Sequence, residues 1–465
     1  MLGYLIQRAA RSPLQRTLQR HFAGIDPTRI VTAAREFAIT SRVDVDRALT
    51  AMAAPDARVI GVHSPMSHET PTLAQFFTPG PFPMMIGPLQ YDEVDVGDPE
   101  PVRCVKTALW LARKGDLPFG VLITPAMRFG QMGGVHVEIA VPAGDAGAAW
   151  SAEFFRDLEA RVAAGKTYRG RVISLESYAD YAGRAGSVKV HRLHRVERED
   201  VILPAATVAL LDHNVKQFVA ARERIKALRF STKKGLLFYG PPGTGKTHTI
   251  HYLAGQLPDH TTLLVTAEQV GQIGEYFRLA RFLQPSIMVV EDVDLIARDR
   301  EQMHHPGQEV LLNKLLNEMD GLREDADVIF ILTTNRPEHL EPALAARPGR
   351  IDQAIEFPLP DDEGRRKLVT LYARGLEVGP EVMDLIVRRT VGASAAFLKE
   401  LMRRSAQVQL EAGGGNVLSE AAVTGAIDEM VFVGGVLNLK LLGGPGDGGR
   451  VMGARLEARV IPAQG

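Results

Sequence analysis

The 465-residue chain holds a single cysteine, Cys104. It can build neither an internal disulfide nor a thiolate metal cage alone, and a reducing compartment is its natural setting. No run of about 18 apolar residues occurs, so no transmembrane helix is expected. Charge of one sign is also missing, because 54 basic against 55 acidic residues leave a net −1. No global field therefore draws the chain to nucleic acid or to an anionic membrane, and without a concentrated basic stripe nucleic acid is not an expected partner. What is present is the balance of a globular protein, 45% hydrophobic and 23% charged, rather than of a disordered one. Its length suits about three domains of roughly 150 residues each.

Met1 to Phe22 carry Arg8, Arg11, Arg16 and Arg20 and no acid. Transit peptides share that composition, but an ordinary basic arm in a cytoplasmic protein is the preferred reading. Residues 26–54 read as helical, with Asp26 placed as a cap, giving an N-terminal helical arm over 1–55. From 56 to 196 short β-rich runs follow, at Arg58–Val62, Pro83–Ile86, Gly120–Thr124, Val135–Val141 and Arg171–Leu175, separated by Gly and Pro. Helices are expected near Val105–Arg113 and Ala148–Ala164. The second puts Trp150, Phe154, Leu158 and Val162 on one face, which reads as packing. This region is a separate α/β domain in which no nucleophile–base or metal-ligand spacing stands out. His191, Arg192, His194 and Arg195, followed by Glu197–Asp200, form either a basic patch or a solvated linker, and the linker is preferred.

From residue 202 the pattern sharpens. A buried-strand run, Gly235–Tyr239, leads into Gly240-Pro241-Pro242-Gly243-Thr244-Gly245-Lys246-Thr247, and helical sequence continues through His248 and Thr249 to Leu257. Gly243 and Gly245 let the backbone turn N–H groups toward phosphate oxygens at the positive end of the helix. Lys246 then reaches the β and γ phosphates, and the Thr247 hydroxyl coordinates Mg²⁺. The run Gly240 to His248 is thus the expected nucleotide cradle, with ATP and Mg²⁺ as cofactors.

Ser286–Val290 is a second apolar run that ends in Glu291-Asp292-Val293-Asp294. Acids at the carboxyl end of a buried strand either close an ordinary turn or serve a ligand. Beside a phosphate loop, Glu291 and Asp292 read as the acids that hold Mg²⁺ and orient or deprotonate the attacking water. Val328–Leu332 ends in Thr333-Thr334-Asn335, which places an amide to hold the lytic water or the γ-phosphate. Arg347 and Arg350 follow on a Pro-Gly turn. Arginines held there can reach a neighbouring subunit's phosphate, a device worth about 10³ to 10⁵ in rate, or can simply form surface salt bridges.

In this order and spacing GPPGTGKT, the acids after SIMVV, TTN and ARPGRID resemble the AAA branch of the P-loop ATPases, with its second region of homology. The resemblance covers about residues 202–430. It implies a P-loop NTPase parallel-sheet sandwich over 197–360 with a C-terminal small helical lid over 361–432, preceded by the separate α/β domain. It also makes Lys246 and Thr247 the phosphate and Mg²⁺ residues, Asn335 the sensor, and Arg347 and Arg350 trans-acting arginine fingers in a homo-oligomer, a hexamer. Asp320-Gly321-Leu322 is similar to the family's intersubunit signalling turn. Thr390–Glu400 looks like the lid segment in which Gly392 and Ala395 pack near the adenine, without a sensor arginine.

The chain departs from the family in two places. The family presents Asp then Glu after its second strand, and here Glu291 precedes Asp292. Misplacement of a reacting group by about 1 Å can cost about 10²-fold in rate, so slow hydrolysis is an expectation. The same inverted pair, in similar surroundings, resembles the mitochondrial inner-membrane AAA chaperones that assemble respiratory complex III, whose membrane helix has no counterpart here. The second departure is at Glu268–Glu275, which lacks the aromatic with which threading members grip a polypeptide, although Tyr276 and Phe277 are close. Gly413–Gly415 should break two lid helices, and a Gly-rich tail occupies 433–465. The expected function is a ring-forming, Mg²⁺-dependent ATPase that remodels or chaperones a protein client held by its N-terminal domain. The alternative is a nucleotide-controlled binding scaffold that hydrolyses ATP very slowly.

Overall fold

The computed structural model describes residues 12–53, 57–63, 70–77, 84–128, 131–165, 167–176, 188–297, 309–324, 326–339 and 350–430. The chain divides into two compact units, Met1–Arg192 with Arg278–Leu283, and Leu193–Phe277 with Gln284–Gly465.

The first unit runs α1 (Pro13–His21), β1 (Ile30–Ala38), α2 (Arg42–Met52), β2 (Arg58–His63), α3 (Leu73–Phe77), β3 (Met85–Gly87), β4 (Tyr91–Val94), β5 (Val102–Val105), β6 (Ala108–Lys114), β7 (Leu117–Arg128), β8 (Gln131–Pro142), α4 (Asp145–Ala163), β9 (Val172–Leu175) and β10 (Val188–Val190). Its antiparallel sheet has the order β1-β8-β7-β6-β2-β3. Strand alternation sends Val135, Val137, Ile139 and Val141 to one face, where they meet Phe154, Leu158 and Val162 of α4. Leu109, Leu111, Leu122 and Ala140 go to the other face, beneath Leu14 and Leu18 of α1 and Leu73 and Phe76 of α3. Each Val, Leu, Ile or Phe side chain fully buried in this way contributes about 1.5–3 kcal/mol.

Two expectations are overturned here. The helix expected near Val105–Arg113 is strand β6, whose Ala108, Trp110 and Ala112 enter one core while Leu109 and Leu111 enter the other. A strand buried on both faces shows a continuous apolar run, which periodicity cannot tell from a buried helix. The helix expected over 26–54 is largely β1, which pairs with β8 from Ile30↔Pro142 to Ala38↔Gly134, and among the described residues only Arg42–Met52 is α-helical. Pairing with a long neighbour overrides weak local propensity.

The second unit continues with α5 (Ala205–Leu211), α6 (Phe218–Ala227), β11 (Lys234–Tyr239), α7 (Lys246–Gln256), β12 (Thr261–Val265), α8 (Ile273–Phe282), β13 (Ser286–Val290), α9 (Val293–Ala297), α10 (Glu309–Asp320), β14 (Val328–Thr334), β15 (Gln353–Glu356), α11 (Asp362–Ala373), α12 (Pro380–Arg389), α13 (Ala395–Glu411) and α14 (Glu420–Asp428). Its strands are parallel, in the order β12-β13-β14-β11-β15. Connections that cross between non-neighbouring strands leave a crevice at the carboxyl ends, where ligands of such sheets bind. The fold is therefore α/β, a parallel P-loop sheet preceded by a separate α/β region. Helices α11–α14 form a lid around a core of their own that includes Leu368, Phe397, Leu401 and Ile427. Gly413, at φ +70, ends α13 in a left-handed turn. Residues 433–465 and Arg347 lie outside the described residues.

Candidate nucleotide site

Between β11 and α7 the chain turns through Gly240–Gly245. Gly245 caps α7 at φ +99 with no side-chain bond to the helix N–H groups, and nothing lies within 4 Å of where its Cβ would point. The first-turn amides thus carry the helix's positive end without a side chain to satisfy them. Gly243, at φ +76, holds the loop against the lid: a Cβ there would meet Ala396 Cβ and Ser394 Oγ at 2.8 Å, and Ala396 N donates to Gly243 O at 3.1 Å.

A cleft of about 930 Å³ opens over this loop, within the size range of small-molecule sites. Pro242 through Thr249 line it, with Asp292, Thr333 and Asn335 from the strand ends and Tyr372, Ala395 and Lys399 from the lid. Gly392 lies in the turn before the Ser394 cap, at φ +78. Lys246 is 7% exposed and folds back to donate from Nζ to Gly240 O at 2.7 Å and Pro241 O at 3.0 Å. Burial lowers its pKa to about 8, against the opposing pull of Asp292 and Asp294. Thr244 Oγ1 donates to Pro241 O at 2.9 Å and tightens the turn. His248 Nε2 hydrogen-bonds the Asp200 carbonyl at 3.3 Å, tying α7 to the opposite wall.

The two acids have different partners. Thr247 Oγ1 donates to Glu291 Oε1 at 2.7 Å, while Asn335 Nδ2 donates to Asp292 Oδ1 at 3.0 Å. Asp292, at φ +50, also donates its backbone N–H to Thr333 Oγ1 at 3.0 Å. Hydroxyl and carboxylate oxygens are the hard donors that Mg²⁺ accepts, one or two at a time, with waters and phosphate oxygens completing its octahedron. The Thr247–Glu291 pair fits that role.

Some of the site escaped the sequence reading. Asp294 is 1% exposed, and its Oδ1 accepts from Thr334 Oγ1 at 3.0 Å and from Asn335 N at 3.2 Å, so it fixes the loop that aims Asn335. Its place three residues after Glu291 was visible, but its inward direction was not. The segment read as a linker also contributes: His194, Arg195, Val196 and residues 200–203 line the cleft, and Val196 and Val201 are buried. Arg374 lines it as well, at φ +51.

Arg350 is 8% exposed, with Nε donating to Asp320 Oδ1 at 3.0 Å and Nη2 to Oδ2 of the same carboxylate. Tyr276 and Phe277 are both fully buried. The first donates its hydroxyl to Gln269 Oε1 at 3.0 Å, and the second stacks on Phe330 at 5.4 Å between centroids. They are packing residues, not an exposed grip. Among the described residues no helix is long and apolar enough to cross a membrane.

Comparison with known proteins agrees with this geometry. Residues 236–359 match the model of the ATPase family associated with various cellular activities (AAA). The chain is similar to the ATP-dependent zinc metalloprotease FtsH of Corynebacterium glutamicum, at 32% identity over 253 residues, covering 52% of this chain and 28% of that protein. It is similar to the FtsH of Mycobacterium tuberculosis at 32% over 252 residues, covering 52% and 31%. It is also similar to the proteasome-activating nucleotidase of Methanothermobacter thermautotrophicus, at 37% over 191 residues, covering 38% and 46%. The chain thus spans less than half the length of each of these relatives. The glycine-rich loop, the strand-end acids and Asn335 all fall in the second unit, whose residues 236–359 match the AAA family model.

Proposed function

We propose that this chain is a Mg²⁺-dependent ATP hydrolase that assembles as a ring, a hexamer, and uses its cycle to remodel or chaperone a protein or protein complex. The observation that carries this reading is the division of labour between the acids: Glu291 sits with Thr247, and Asp292 with Asn335. The cation would neutralise phosphate charge when bound there. Lys246 and the α7 amides hold and orient the β and γ phosphates. Asp292, aimed by Asn335, is placed to take the proton of the attacking water, a role worth typically about 10² to 10⁴ in rate. Arg347 and Arg350 act across the junction between copies.

The relatives' names, ATP-dependent metalloprotease and proteasome-activating nucleotidase, support work on proteins. The sequence has no H-E-x-x-H zinc-ligand pair, so the metalloprotease chemistry is not carried over. The client is assigned to the region 56–196 and the protein to the cytoplasm. Steady-state phosphate release with Mg²⁺ tests the reading: the chain turns over and Lys246→Ala does not. Equal background rates in both would remove the hydrolase and leave a nucleotide-controlled scaffold, which the inverted Glu291–Asp292 order favours.

A further inference from the structure

We propose that the groove between strand β1 and helix α4 of the first unit binds an extended polypeptide segment, which adds to the sheet as a strand beside β1 and seats one apolar side chain against Val31 and Ala152. The groove gives the client proposed above a site of capture, and the inference rests on that reading only in calling the peptide a client.

β1 is the end strand of its sheet and pairs with β8 over nine residues without a shift of register. Edge strands are commonly blunted by lysine, proline or a bulge, because a bare row of main-chain groups is a template for another chain. IVTAAREFA has neither lysine nor proline, and no bulge interrupts it. Two observations fix where its main-chain groups point. Ala143 N donates to Arg29 O at 2.7 Å, and Ile30 stands opposite Pro142, which has no N–H to give. Antiparallel pairs alternate between bonded and unbonded positions, so Val31 and Ala33 bond to β8 while the N–H and C=O of Thr32 and Ala34 face the free edge. In agreement, the Ala34 carbonyl accepts from Arg35 Nη1 at 3.1 Å.

Beside this edge α4 carries the small residues Ala148, Ser151 and Ala152, and with Val31 and Ala33 they leave a cavity of about 340 Å³ that Phe155 also lines. That volume lies within the range of ligand sites. Val31 is 52% exposed, and Ala148 and Ala152 are exposed. Ser151 is only 8% exposed, yet its hydroxyl makes no hydrogen bond with any described residue. A buried hydroxyl without a partner is costly, and a ligand group entering the cavity would satisfy it. Arg35 closes one end, its Nε donating to Glu159 Oε1 at 3.2 Å and its guanidinium lying 5.1 Å over the Phe155 ring. The other end is open at Gly144, where a Cβ would meet nothing within 4 Å. Arg35 is the one charged side chain lining the cavity among the described residues, and Glu159 already occupies it. An apolar side chain is therefore accepted and a charged one is not.

Outward main-chain groups at alternate residues, next to a pocket for a side chain, are what an added strand takes up. A second β1 joined edge to edge would instead bring a second α4 onto the same face of the seam, where the two helices would compete for the cavity.

Fluorescence anisotropy of the full chain tests this with fluorescein-labelled peptides of threonine alternating with leucine, valine or phenylalanine, ended by lysines for solubility. At least one should bind about tenfold or more tightly than its control with aspartate at the central apolar position. Methylating alternate peptide nitrogens should abolish binding without any change to the protein. Thr32→Pro removes an outward N–H and spares the β8 ladder, and Ala152→Trp fills the cavity from an exposed position. Each should weaken binding about tenfold or more while fluorescent ATP binds as to the wild type, and Ser151→Ala should weaken it a few-fold. The inference is overturned if aspartate controls or methylated peptides bind equally well, or if both variants capture peptide like the wild type. It is also overturned if no peptide binds and Thr32→Pro splits a wild-type assembly in sedimentation velocity, which would give the edge to a second copy. Binding is read without turnover, so a chain that captures peptide but hydrolyses no ATP keeps the groove and loses the hydrolase. A hydrolysing chain that captures none does the reverse.

Discussion

The Arg350 guanidinium is held by the Asp320 carboxylate of its own chain, with Nε 3.0 Å from Oδ1. The arginine is one of the two expected to act across a subunit junction, and Asp320 opens the turn expected to signal across it. In the isolated chain each occupies the other, so bringing Arg350 to a neighbour's phosphate requires breaking this pair. Gly235 packs so closely that a Cβ would collide with the Arg350 carbonyl, and Gly235 N donates to Asp352 Oδ2 at 2.7 Å. The backbone here is pinned, leaving the guanidinium as the part that can swing.

Arg350→Ala should therefore lower the stability of the nucleotide-free monomer modestly, by about 1 kcal/mol, because the Asp320 carboxylate left behind is half exposed and water takes over its hydrogen bonds. Urea midpoints at constant m measure this. A residue serving only a neighbour would leave the midpoint where it was. Arg350→Lys should recover little, since an ammonium cannot reproduce the two-pronged contact.

The partners of Glu291 and Asp292 separate their roles experimentally. Asp292→Asn should keep ATP affinity within a few-fold and drop turnover by about 10² or more. Glu291→Gln should instead raise the Mg²⁺ concentration needed for half-maximal binding. Single-turnover hydrolysis and a magnesium titration read the two effects, and an exchanged pattern would reverse the assignment.

Gly243→Ala introduces a methyl group against Ala396 and Ser394 at a φ that alanine tolerates poorly. A left-handed residue costs roughly 1–2 kcal/mol, and the lid must also move off the loop. We expect nucleotide affinity to fall at least tenfold with little change in the stability of the first unit. Fluorescent nucleotide titration beside limited proteolysis distinguishes this from general unfolding.

Burial brings the Lys246 pKa down to about 8 before nucleotide binds. Triphosphate favours the charged amine and pushes the pKa back up. Above pH 8, then, binding takes up a proton and affinity falls as pH rises; below pH 7 the lysine is already charged and no proton moves. Calorimetry at pH 8.5 in buffers of differing ionisation enthalpy should show uptake that disappears in Lys246→Met.

The elements that line the cleft were legible because each is local. Ser286–Val290 and the strand ending at Tyr239 are short buried runs closed by polar residues, and the phosphate loop needs only its own glycines, lysine and threonine in sequence. The first unit was less legible. Strand β6 enters two cores at once, so its apolar run shows no alternation, and β1 is a strand because β8 lies beside it.

Sequence alone determined that a glycine-rich turn bearing a lysine and a threonine stands between a strand and a helix, and that two acids and an asparagine end neighbouring strands. Those features are written in consecutive residues, and the carboxyl ends of a parallel sheet gather them wherever the connections run. Only the tertiary structure decided which acid meets Thr247 and which meets Asn335, that Asp294 turns inward, that 194–203 walls the cleft, and that Arg350 rests on Asp320. Each of these joins groups that are distant along the chain or turns a side chain to one side rather than the other, and packing, not sequence order, sets such directions.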